Sequence, residues 1–415
     1  MSKYIERITH IENLLLIQNL VIDTNALREA CSFGIPDLLR PLCWRLFLGY
    51  LPKERQEWHA GLKKQREDYV SLVGNLIEAH IECSEEGPVD HPLSDGEHSQ
   101  WAKFFADNDV LIQIDKDVRR LRPEIDFFQR TTNYPMKEAQ KLSKRLNTLD
   151  NDDEPVRIVD GEYHWQVVER ILFVYSKVNP GIKYVQGMNE IIGPLYYVFA
   201  SDPDKEWAEC AEADTFYCFQ LLMSEIKDNF IKSLDSSSCG IEWTLAHFSQ
   251  LFQSVDPELY DHIVLKLDVK PQFYAFRWLS LLLSQEYSLP DLINIWDSVF
   301  SAHNRVEETE YICVAMLCQF RTELLNGDFS QVVKFLQNYP VIDTNQLINL
   351  SWEIKNKQKS NNNNNGHKST GKFWNKERFS AIVSGAKERI SNYANVKRST
   401  NRSDGSIKYR HSPSE

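Results

Sequence analysis

"WQVVERILFVYSKVNPGIKYVQGMNEIIGPLY", residues 165–196, decides how the rest of the chain is read. Trp165, Val168, Ile171, Leu172 and Tyr175 recur at the spacing of one helix face, and "NPG" at 179–181 stops that helix. A second apolar face opens at Met188 and runs through Ile191, Ile192, Leu195 and Tyr196. Between the two lies "KYVQG", a short polar connection. Gln186 and Gly187 stand on it or on the first turn of the second helix, where glycine permits close backbone approach. Tyr184 is placed to pack beneath Gln186 and orient it. Taken alone, a neutral amide at such a place is most often a turn former.

The same periodicity extends outward in both directions. Ile5, Ile8, Ile11, Leu14 and Leu15 read as one core-facing helix; "GIPDLLRPLCWRLFLGYLP" (34–52) reads as another, with Leu38, Leu39, Leu42 and Leu46 inward. A charged helix follows over 53–80. Beyond residue 200, helices fit "EADTFYCFQLLMSEI", "IEWTLAHFSQLFQSV", "QFYAFRWLSLLLSQEY", "LPDLINIWDSVFSA" and "EYICVAMLCQFRTELL". No strand alternation of useful length and no internal repeat appears, so the expected fold is all-α, an orthogonal array of many helices. Only 16 Gly and 16 Pro in 415 residues argue the same way, and 42% apolar residues are enough for a large core.

Composition also divides the chain. Residues 1–31 form a helical lead-in and 32–347 the main domain, with acidic, turn-rich loop inserts near 83–99 and 147–164. An Asn-rich polar linker is expected over 348–372, a basic amphipathic helix over 373–396 and a disordered tail over 397–415. Net charge is -12, yet residues 354–415 carry 14 Lys/Arg against 4 Asp/Glu, which leaves about -22 on the rest. An acidic body argues against nucleic acid as a partner. In the tail helix Phe379, Ile382, Val383, Ala386, Ile390 and Tyr393 share one face among basic residues; it would bind an anionic membrane surface, a partner, or the chain's own domain. The eight cysteines are scattered without metal-site spacing and read as reduced core thiols. No run of eighteen apolar residues and no cleavable leader appear, so the expectation is a cytoplasmic protein, peripheral on endomembranes if the tail helix binds them.

Two motif matches fail on context. "GHKSTGK" (366–372) fits a phosphate-binding loop, but Phe373 follows where Ser or Thr must ligate magnesium, and no strand leads in. The acidic stretch from Asp150 has Pro155 where a calcium loop needs Gly and no Glu at the twelfth position. The histidines show no zinc or hydrolase pattern.

Three polar groups set into apolar pattern remain. In "RPLCW", Arg40 and Trp44 are one helical turn apart, so the guanidinium can lie along the indole in a packing role. In "IDKDVRRLRP", Ile114 and Asp117 share one side of a turn, Asp117 can steer Arg120 or cap its backbone, and Pro123 ends the element. By itself Arg120 reads as half of a solvated ion pair. The third group is Tyr184, Gln186, Gly187 and Met188.

In this order and with these flanks the groups resemble the TBC-domain Rab GTPase-activating proteins: "RPLCW" is similar to the family's RxxxW, "IDKDVRR" to IxxDxxR and "YVQGM" to YxQGM, within a similarity spanning roughly 32–347. The resemblance implies a TBC fold and a dual-finger mechanism acting in trans on a GTP-bound Rab. Arg120 would be the arginine finger and Gln186 the glutamine finger, with Asp117 and Tyr184 as orienters and Arg40 and Trp44 structural. GTP and Mg²⁺ would be carried by the GTPase, so no cofactor of the chain's own is expected, and Arg119 would face the GTPase or solvent. A scaffold that binds Rabs without activating them is the competing reading, and the presence of both fingers favours activation.

Overall fold

The computed structural model describes residues 2–16, 18–77, 100–137, 142, 161–231 and 240–364. The expected loop at 83–99, most of that at 147–164, the 366–372 loop and the 373–396 helix lie outside the described residues. The principal helices are α1 (Ser2–Leu14), α2 (Thr24–Cys31), α3 (Arg40–Phe47), α4 (Trp58–Ile77), α5 (Gln100–Val118), α6 (His164–Val178), α7 (Met188–Ala200), α8 (Ala211–Ile226), α9 (Ile241–Val255), α10 (Ala275–Ser280), α11 (Leu289–Ser301), α12 (Arg305–Gln319), α13 (Phe329–Gln337) and α14 (Thr344–Asn364). Extended pairing among the described residues is confined to two isolated bridges, Val21 with Glu54 and Thr131 with Tyr163.

The apolar faces read from sequence are the buried ones. Val168, Ile171, Leu172 and Tyr175 of α6 pack with Ile191, Ile192, Leu195 and Tyr196 of α7, and α8 lies against both. Four differences have physical causes. Leu38 is exposed, because α3 begins only at Arg40 and buries Cys43, Trp44, Leu46 and Phe47 instead. The stretch 272–287 is not one helix: α10 ends at Ser280, and Leu282 and Leu283 take left-handed backbone. A further break at Phe320 separates α12 from the short helix Arg321–Asn326.

The fourth difference concerns the expected linker at 348–372. α14 runs through it to Asn364, because Leu347, Ser351 and Ile354 form a buried stripe against α12 and α11. Lys355 extends the contact, pairing with Glu308 and lying 5.5 Å over the Tyr311 ring. Asparagine is a weak helix former, but a docked apolar face outweighs propensity.

Two buried carboxylates pin α3. Trp44 donates from Nε1 to Asp297 Oδ1 at 2.8 Å, Arg40 Nε donates to the same oxygen at 3.0 Å, and the Ile35 amide donates to Oδ2 at 2.8 Å. Arg40 therefore meets Trp44 through a shared acceptor on α11 rather than by lying on the indole. Burial pushes the Asp297 carboxyl up to about 6, against the pull of Arg40 and the other donors. On the other face of α3, Arg45 reaches Asp214 at 2.9 Å, and Asp214 also accepts from Tyr50 at 2.7 Å and Arg66 at 2.9 Å.

Removing one member of such a junction leaves the others buried and unpaired. Asp297→Ala is expected to cost about 3–5 kcal/mol of stability, and Asp297→Asn less because one acceptor oxygen remains. Denaturant unfolding measures both; a loss below about 1 kcal/mol for the alanine variant would mean that Arg40 finds other acceptors.

Candidate functional site

The fold brings the IxxDxxR and YxQGM segments together through one hydroxyl. Tyr184 donates its phenolic proton to Asp117 Oδ2 at 2.7 Å across 67 residues of sequence, and both residues are buried. Burial, then the Asp117 carboxylate, raise the Tyr184 pKa well above the usual phenol value, so the hydroxyl is a permanent donor. Asn189, on the first turn of α7, stands beside the pair: its Oδ1 is 3.4 Å from the Tyr184 oxygen and its Nδ2 is 3.5 Å from the Asp117 carbonyl. Ile114, one turn before Asp117, is fully buried and fixes the face that α5 turns inward.

Arg120 and Gln186 project from this buried support. Arg120 follows the end of α5 with its side chain 75% exposed; its Nε donates to the Lys116 carbonyl at 3.1 Å and its Nη2 stands 3.6 Å from Asp117 Oδ1. Asp117 thus serves both segments, with one oxygen towards Tyr184 and the other towards Arg120. Gln186 is exposed, and Gly187 behind it N-caps α7 at φ 103°. A Cβ at position 187 would lie 2.8 Å from Leu281 Cδ2. The expected close backbone approach is therefore to Leu281.

Three nearby arginines have three different fates. Arg119 holds Asp115 with Nε at 2.7 and 2.8 Å and lies 4.7 Å over the Trp165 ring. Its side chain is still 55% exposed, in keeping with the expectation that it faces a partner or solvent, but it is tethered along the domain surface. Arg120 is exposed too, with no ring beneath it among the described residues and no ion pair as short as that of Arg119. Arg122 is buried, donating from Nη1 to the Tyr287 carbonyl at 3.0 Å and from Nη2 to that of Ser284.

Backbone strain gathers at the same place. Outside glycine, the described residues with left-handed φ are Arg122 (48°), Lys183 (60°), Asp268 (54°), Leu282 (50°) and Leu283 (63°). All but Asp268 belong to the segments that carry Arg120 and Gln186 or to the turn beneath Gly187. Such conformations cost of order 1–3 kcal/mol each and persist only where the surroundings enforce them. Here Trp296 Nε1 donates to the Leu282 carbonyl at 2.9 Å, and Arg122 takes those of Ser284 and Tyr287.

Sequence reasoning passed over Asn189, Arg122, Leu281 and Asp297. Asp297 carried a signal, an acid inside the apolar pattern of "LINIWDSVF", and so did Asn189, polar at the head of an apolar helix. Nothing in the local pattern marks Arg122 or Leu281.

The left-handed backbone at 187 makes its own prediction. Gly187→Ala should destabilise by about 1–2 kcal/mol, chiefly through φ, because the Leu281 methyl can rotate aside. Adding Leu281→Ala should recover little of that loss in denaturant unfolding; full recovery would show that the contact, not the backbone, demands glycine.

Known proteins resemble this chain in sequence and in fold. A family model described as Rab-GTPase-TBC domain matches residues 130–325, which include Tyr184, Gln186 and Gly187 and begin after Arg120. TBC1 domain family member 13 of Homo sapiens is 44% identical over 401 residues, covering 85% of this chain and 99% of the human protein. GTPase-activating protein gyp1 of Schizosaccharomyces pombe is 26% identical over 339 residues, 78% of this chain and 55% of that protein. Among solved structures, that of the Ypt/Rab-GAP domain of Gyp1p matches with a TM-score of 0.64 and 26% identity, over 86% of this chain and 99% of the domain. Identity at this level over nearly the whole of a full-length relative, on the same helical fold, places the chain in the Rab-GTPase-TBC domain family.

Proposed function

We propose that the chain is a GTPase activator for a Rab-family GTPase, completing the partner's hydrolysis site in trans with Arg120 and Gln186. The observation that carries this reading is the Tyr184–Asp117 hydrogen bond: it locks together the two segments that carry the exposed side chains of Arg120 and Gln186. Phosphoryl transfer asks a protein for placed positive charge and an oriented water rather than for a covalent nucleophile. Arg120 supplies the first, on a guanidinium tethered to the Lys116 carbonyl beside the Asp117 carboxylate. Gln186 supplies the second, an amide that both donates and accepts and so aligns water for attack.

In this assignment Asp117 and Tyr184 orient the fingers, Ile114 and Gly187 hold the backbone beneath them, and Arg40 with Trp44 keep α3 on α11. GTP and Mg²⁺ come with the GTP-bound Rab. The activity would place the protein in the control of vesicle traffic. No helix among the described residues is long and apolar enough to cross a membrane, so contact with a Rab-bearing membrane would be peripheral.

Single-turnover GTP hydrolysis by a panel of purified Rabs tests the proposal. The wild-type chain should accelerate one or a few of them; Arg120→Ala should remove most of that acceleration, in the range of about 10³–10⁵-fold for an arginine finger, and Arg120→Lys should not restore it. Gln186→Ala should likewise remove most of the acceleration. Rabs that bind without being accelerated would make the chain a scaffold instead. For the tail, the basic amphipathic pattern of 373–396 leads to a separate expectation: deleting 373–415 leaves activity in solution intact and lowers recovery on anionic liposomes. Unchanged recovery would assign that helix to another partner.

A further inference from the structure

The side chain that couples the two fingers is Arg122, and we infer that it is a positioning residue for both of them. The inference rests on the activator reading, yet it makes a claim about the free chain. Arg122 lies two residues beyond Arg120, and its left-handed backbone turns the chain so that residue 120 faces outward while residue 122 is buried. A solvated arginine at that position would require neither the strain nor the desolvation. Its guanidinium instead spans three elements. Nη1 and Nη2 hold the carbonyls of Tyr287 and Ser284, in the turn whose Leu281 seats Gly187. Nε points to Glu190 Oε2 at 3.7 Å, on the first turn of α7, four residues past Gln186.

Each of those contacts bears on a finger. The Arg122 backbone fixes the end of α5 that carries Arg120. The carbonyl contacts fix the turn against which Gly187 packs, and Glu190 fixes the helix start that follows Gln186. The Tyr184–Asp117 hydrogen bond joins the segments above, and Arg122 joins them below. The planar fork of arginine suits two diverging carbonyls; a lysine ammonium keeps the charge and cannot span them in the same way. A shift of about 1 Å in a catalytic group costs on the order of 10²-fold in rate without altering how the partner docks.

The test uses the full chain carrying Arg122→Lys, with Glu190→Gln as a second variant that removes one contact near the surface and leaves the fold intact. Hydrogen exchange on the free protein is the first readout. Arg122→Lys should speed exchange at least tenfold in 118–124, 183–190 and 281–288 together, with the other helices unchanged; Glu190→Gln should speed the first two segments only. Faster exchange confined to 118–124, or spread evenly over the chain, overturns the coupling. The second readout uses any Rab that the wild type activates: kcat should fall at least tenfold with KM within twofold, and an unchanged kcat overturns the inference. Should the wild type activate no Rab, the activator reading fails while the exchange result still decides whether Arg122 ties the segments.

Discussion

One carboxylate, Asp297, is the junction on which the architecture depends. It sits without solvent exposure on α11 and takes donors from Arg40, the Trp44 indole and the Ile35 amide, so α3 and the segment before it are fixed to α11 at one point. Its neighbour Trp296, whose ring lies 6.0 Å from that of Trp44, holds the strained Leu282 carbonyl. The RxxxW pair, far from Arg120 and Gln186 in sequence, is thereby linked through two adjacent residues to the turn under Gly187. A buried charge with this many donors is held by geometry as much as by attraction, since each donor covers a lone pair that burial has stripped of water.

At the site itself burial sorts residues of identical type. Arg119, Arg120 and Arg122 share charge and length, yet Arg122 is sealed under a turn while the other two are exposed, Arg119 held by Asp115 and the Trp165 ring. Helical spacing accounts for part of this, because α5 ends at Val118 and the three arginines leave it in different directions. The left-handed backbone at 122 accounts for the rest. The same logic separates Tyr184 from Gln186: two residues apart on an irregular connection, one is buried against Asp117 and the other faces solvent.

How much of this was legible follows from the range of the interactions. The helix faces of α6 and α7 were readable, because periodicity is local and the core is made of those faces. Arg120, Gln186 and their supports were readable as a resemblance, since motif spacing survives in one dimension. Arg40 donates to the nearby Ile35 carbonyl and Asp37, but its link to Asp297 was hidden because that acceptor lies 257 residues away, and no local pattern points to it. The break after Ser280 was hidden in an unbroken apolar run, where a strained turn and a helix interior have the same composition. Residues 348–364 misled in the opposite sense: their polar composition concealed the inward-facing Ile348, Ser351 and Ile354, enough with Leu347 to dock a helix.

α14 has a consequence for the protein as it is made. Leu347 and Ile354 complete the floor of the core against α12 and α11, while Phe33, from the segment just after α2, meets Trp352 at 5.9 Å. The beginning of the chain therefore finds its partner only when nearly all of the domain has left the ribosome. Until then α11 and α12 present an unfilled apolar seam. The interval between synthesis of α2 and release of α14 is when the nascent chain is most exposed to aggregation and to capture by chaperones.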